Sequence, residues 1–120
     1  MQSSSRPLVW IGSTRSAVRT FPRAVRRDVG FALYAAQQGE IDPATKPLSG
    51  FGGASVLEIV AQHRGDTWRA VYTVRYAEAV YVLHVFQKKS KRGVATTKKD
   101  IDLIRRRLSE AERQHRLRQN

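Results

Sequence analysis

Between residues 55 and 87 the chain carries three β-rich runs in immediate succession, Ser55 to His63, Thr67 to Tyr76 and Glu78 to Gln87. Val, Ile, Tyr and Trp dominate them, and side chains of this kind suit a pleated, half-buried surface. The separators, Arg64-Gly65-Asp66 and the junction at Tyr76-Ala77-Glu78, have the length of hairpin connections. A three-stranded antiparallel meander follows, and the rest of the chain has to be arranged around it.

The flanking segments are mostly helical. Leu8 to Gly12 is a short apolar run closed by glycine and reads as a first strand. Ser13 or Thr14 can cap a short helix reaching Thr20, and Pro22 stands where a second helix would begin. In that second helix Val25, Val29, Ala32, Leu33 and Ala36 recur at helical spacing and form one apolar face, with Gly39 as its stop. Residues Glu40 to Ala54 hold two prolines and three glycines and read as loop throughout. After a basic turn from Lys88 to Gly93, Thr97 with Asp100 three residues later resembles a capping box. Ile101, Ile104, Leu108 and Ala111 then make the apolar stripe of a last helix. The expectation is an α+β fold in the order strand, helix, helix, three strands, helix, with the helix pair on one face of the sheet. At 120 residues this is one domain, taken as residues 7–120 behind a flexible N-terminal tail of residues 1–6.

Charge is the second constraint. The 22 Lys and Arg against 10 Asp and Glu leave +12, and residues 88–120, with 12 basic and 4 acidic residues, supply +8 of it. A basic surface so localised points to a polyanionic partner more than to general solubility. Cysteine is absent, which excludes a disulfide framework and a thiolate metal site, and the three histidines lack metal-ligand spacing. No cofactor is expected. The polar N-terminal residues and the lack of a long apolar stretch argue against a secretory signal or a membrane span, so a cytoplasmic setting is expected.

Four motifs in register carry a resemblance. They are Lys46-Pro47-Leu48-Ser49-Gly50-Phe51-Gly52, Val56-Leu57-Glu58-Ile59, Gly65-Asp66-Thr67-Trp68-Arg69-Ala70-Val71-Tyr72, and Val80 through His84 to Lys88-Lys89-Ser90-Lys91. The chain resembles the RelE/ParE superfamily of toxins, in particular its HigB-like, phage-derived Gp49-like branch. The resemblance implies a microbial-RNase-like fold and cleavage of mRNA, usually on the ribosome. It also implies neutralisation by a cognate antitoxin, often of helix-turn-helix type. Two other readings remain open at this stage: a ParE-like toxin that disables gyrase by binding, and a non-enzymatic basic nucleic-acid-binding protein.

Metal-free RNA cleavage needs a proton acceptor for the 2′-OH, cations for the charge building up at phosphorus, and a donor for the leaving oxygen. Arg69 matches the superfamily's functional arginine and suits phosphate, unless it is an ordinary sheet arginine. Lys88, Lys89 and Lys91 leave the last strand together, and Lys89 matches a second catalytic cation of related toxins. Mutual repulsion can pull a lysine pKa downward in such a cluster. Arg92, Lys98 and Lys99 are read as nucleic-acid contacts. By strand alternation His84 shares a face with Phe86 and Lys88 and lies opposite Leu83 and Val85. It is a proton-transfer group or a structural histidine. Tyr72 and Trp68 fall on the face opposite Arg69 and read as core, and Glu58 reads as a structural ion-pair partner, an orienter of an arginine, or a base. The pattern departs from RelE where Val56 and Glu58 replace two lysines, where Ala95 replaces a tyrosine, and where Thr96-Thr97 stands for the branch's Thr-Pro.

Overall fold

A computed structural model describes residues 5–88 and 96–119 of the chain. The element order is β1 (Leu8–Trp10), α1 (Thr14–Val18), α2 (Arg23–Gln37), β2 (Thr45–Pro47), β3 (Val56–His63), β4 (Asp66–Thr73), β5 (Val80–Lys88) and α3 (Lys98–Gln119). The strands form one sheet in the order β1-β5-β4-β3-β2, with β1 parallel to β5 and the other pairs antiparallel. The meander expected from the three β-rich runs is its centre.

The sheet is covered on both faces. The stripe Val25, Val29, Ala32, Leu33 and Ala36 of α2 is buried against Leu57, Ile59, Ala61, Trp68, Ala70, Tyr72, Val80, Val82 and Val85. Each large aliphatic side chain buried in this way contributes roughly 1.5–3 kcal/mol. On the other face Ile104 and Ala111 of α3, with Ile101 and Leu108, cover Val56, Val71, Tyr81 and Leu83. Thr97 caps α3 as the sequence suggests: its Oγ1 accepts from the Asp100 amide at 3.2 Å and donates to Asp100 Oδ2 at 2.8 Å.

Three details differ from the sequence expectation. The segment read as uninterrupted loop contains β2, because Thr45, Lys46 and Pro47 pair with Ile59, Glu58 and Leu57. A proline is tolerated there since β2 is an edge strand. Next, the β4–β5 ladder slips: Val71 faces His84 while Tyr72 faces Val82, so Leu83 is an extra residue in a bulge. Leu83 therefore turns to the α3 face with His84 instead of lying opposite it. Last, Ser5 and Arg6 are tied to the end of α2, with Arg6 N donating to Gln37 O at 3.0 Å, Gln37 Nε2 to Arg6 O at 2.7 Å and Gln38 Nε2 to Ser5 Oγ at 3.0 Å.

Candidate active site

The bulge and the register decide which polar groups meet. Cross-strand partners share a face, so the pairs Thr67 with Lys88, Arg69 with Phe86 and Val71 with His84 put Arg69, His84 and Lys88 on the side covered by α3. On β3 the same side carries Val60, opposite Arg69, and Glu58, opposite Val71, and on β2 it carries Lys46, opposite Glu58. Trp68 and Tyr72 face α2 and are buried, as the alternation of β4 predicts.

Glu58 is the anchor of this face. Its Oε1 accepts from Arg69 Nη1 at 2.7 Å and its Oε2 accepts from Thr96 Oγ1 at 2.7 Å, with Glu58 1% and Arg69 6% exposed. Arg69 is thus neither a solvated surface arginine nor an isolated buried charge. Its Nε is buried and has no hydrogen-bond partner among the described residues. Lys88 is buried too, and its ammonium is held below the ordinary lysine range by burial first and by the Arg69 charge second, against the opposing pull of Glu58 and Asp100.

His84 lies four residues before Lys88 on β5, with its ring stacked on Phe86 at 4.5 Å between centroids. Its Nε2 is 2.8 Å from Asp100 Oδ1, while Nδ1 lies 3.5 Å from Arg107 Nη1, at the long limit of a hydrogen bond. Arg107 itself is anchored on Leu83 O at 3.0 Å. Burial lowers the His84 pKa below 6.5, Asp100 raises it, and Arg107 adds to the lowering; the net direction is down. A neutral ring donating from Nε2 to Asp100 leaves the Nδ1 lone pair as its acceptor.

Beside this cluster a cleft of about 280 Å³ opens between β2 and the start of α3, lined by Lys46, Leu48, Glu58, Thr96, Ile101 and Arg105 among others. Arg105 donates to Gly50 O at 3.0 Å and lies over the Phe51 ring, pinning the β2–β3 loop against α3. Lys98 and Lys99 are exposed in the first turn of α3, with Lys98 Nζ 2.9 Å from Asp102. Lys89, Lys91 and Arg92 lie outside the described residues, as does Ala95. Among the described residues no group of three or more His, Cys, Asp or Glu is placed to hold a metal, and no helix is long and apolar enough to cross a membrane.

Four contributors escape a reading of the sequence. Asp100 is legible there as a capping residue, yet its second oxygen holds His84. Arg107, Lys46 and Thr96 reach the cluster only because α3 crosses β5 and β2 pairs with β3. The i to i+3 and i to i+4 spacings within a helix carry no signal of such crossings.

Comparison with known proteins gives the class first. Among solved structures, E. coli toxin RelE, a double arginine-to-alanine mutant in the free state, superposes with a TM-score of 0.54 at 18% identity, covering 71% of this chain and 85% of that one. At that identity the likeness concerns the fold, which is RelE-like α+β. Residues 16–109 match the family described as phage derived protein Gp49-like, and the chain belongs to that family, a RelE/HigB-type toxin family. No curated protein matches.

Proposed function

We propose that this protein is the toxin of a type II toxin–antitoxin pair and that it cleaves translated mRNA on the ribosome without a cofactor. In this reading a cognate antitoxin, of helix-turn-helix type, restrains it. The observation that carries the reading is the convergence of His84, Lys88 and the Glu58–Arg69 pair on one sheet face of a Gp49-like chain, beside a cleft whose rim is basic.

Each requirement of phosphodiester transfer has a group suited to it. Neutral His84, its tautomer fixed by Asp100, takes the proton of the 2′-OH at Nδ1 as that oxygen attacks phosphorus. Arg69, held in place by Glu58, faces the non-bridging oxygens with the N–H groups that Glu58 does not use. Lys88 gives its proton to the departing 5′-oxygen, and its lowered pKa makes it the better acid. The products are a 2′,3′-cyclic phosphate and a 5′-hydroxyl. Lys89, Lys91 and Arg92, with Lys98 and Lys99, add the positive field that attracts the strand.

Mapping mRNA 5′ ends after brief induction, in cells making either the wild type or Lys88→Arg, tests the proposal. The arginine keeps the charge but does not give up its proton, so new ends are expected with the wild type and a loss of about a hundredfold with the variant. Equal cleavage by both removes Lys88 from the mechanism. An intact transcriptome with DNA damage favours the ParE-like reading.

A further inference from the structure

A second cavity, of about 670 Å³, takes no part in the chemistry proposed above. It lies on the α2 side of the sheet, between the link from α1 to α2 and the β3–β4 hairpin. Its wall is aromatic: the Phe21 and Trp68 rings stand 6.3 Å apart and the Trp68 and His63 rings 6.2 Å apart. Around these rings come the Asp66 carboxylate, the Gln87 amide and the Arg64 guanidinium. Among the described residues none of these three side chains is engaged in a hydrogen bond or ion pair.

The hairpin that presents Arg64 is built against its own turn chemistry. His63 pairs with Asp66, leaving Arg64 and Gly65 as a two-residue turn with φ of 51° and 86°. Such turns favour Asn, Asp or Gly at the first position, because other side chains crowd the backbone in the left-handed region. An arginine there costs stability, and its side chain is delivered to the pocket.

We infer that this pocket binds a guanine of the RNA strand, an inference that rests on the RNA reading of the cleft. Guanine presents N1–H and N2–H side by side, and one carboxylate accepts both; adenine turns an N1 lone pair toward the same carboxylate. The Gln87 amide suits the neighbouring O6, the His63 ring offers a stacking face, and Arg64 suits the attached phosphate. Placement fits as well. Gln87 pairs with Trp68 and Lys88 with Thr67, so these consecutive residues face opposite sides of the same sheet end. A strand with a phosphate at Lys88 reaches the pocket by passing over that end.

The test is an NMR titration of the purified protein, of Asp66→Asn and of Arg64→Asn with GMP and with AMP, beside the mapping of mRNA ends. GMP is expected to bind the wild type about tenfold more tightly than AMP, one good bidentate contact being worth that much. Asp66→Asn should abolish the preference. Arg64→Asn should weaken both nucleotides alike while raising Tm, since asparagine suits the turn. Equal affinity for the two nucleotides, or no shift at His63, Trp68 and Gln87, overturns the inference whatever the cleavage assay gives. A guanine preference in a protein that cuts no mRNA keeps the pocket and removes the nuclease reading instead.

Discussion

Arg69 and Glu58 form a buried ion pair, 2.7 Å between Nη1 and Oε1, on adjacent strands and offset diagonally by one same-face position. Desolvating two charges is repaid only when each finds partners, and Glu58 obtains a second one in Thr96. Removing either partner strands the other. Glu58→Ala is expected to cost about 3–5 kcal/mol in chemical denaturation, and Glu58→Leu combined with Arg69→Met to recover most of that stability while leaving the protein non-toxic. A fully stable Glu58→Ala protein would show that the pair does not organise this face.

His84 should resist protonation. Burial and Arg107 outweigh Asp100 in setting its pKa, so the neutral ring persists below pH 6.5. With the folded value beneath the unfolded one, the unfolded chain binds the proton first as pH falls. Stability is therefore full above about 6.5 and declines as pH drops toward the folded value. Imidazole NMR titration checks the direction. Asp100→Asn should lower the His84 pKa further and Arg107→Met should raise it; opposite shifts would mean that the ring's contacts are misassigned.

Tyr72 belongs to the core and should behave so. Tyr72→Ala is expected to cost about 3–5 kcal/mol, as large aromatic truncations do, and Tyr72→Phe to keep activity within a factor of about three. A Tyr72→Phe protein that folds normally but loses activity would bring the hydroxyl into the chemistry.

Much of this arrangement is legible in the sequence. Strand alternation puts Trp68 and Tyr72 opposite Arg69, and the periodicity of α2 gives its buried stripe residue by residue. What is not legible depends on pairing. β2 has a proline and little intrinsic β propensity, and is a strand only because β3 lies beside it. The Leu83 bulge is a property of the ladder, invisible in a run of alternating residues. Asp100 caps its helix by one oxygen and holds His84 by the other, and only the first role leaves a local pattern.

The exposed lysines of the first turn of α3 should contribute through salt-dependent binding. Replacing Lys98 and Lys99 by Ala is expected to weaken binding to single-stranded RNA and reduce the slope of log K against log salt by about 1.4, at roughly 0.7 per contact. Since Lys98 also pairs with Asp102 at the surface, little stability should be lost. An unchanged slope would place the RNA elsewhere.

RNA cleavage by this face is read from the fate of a defined mRNA in a translating extract given the purified protein. Wild type should produce fragments ending in 2′,3′-cyclic phosphate and 5′-hydroxyl. Lys88→Arg and His84→Gln proteins of unchanged fold should leave the message about a hundredfold more intact. A message that survives intact while the wild-type protein still arrests cell growth would mean that this face does not cut RNA.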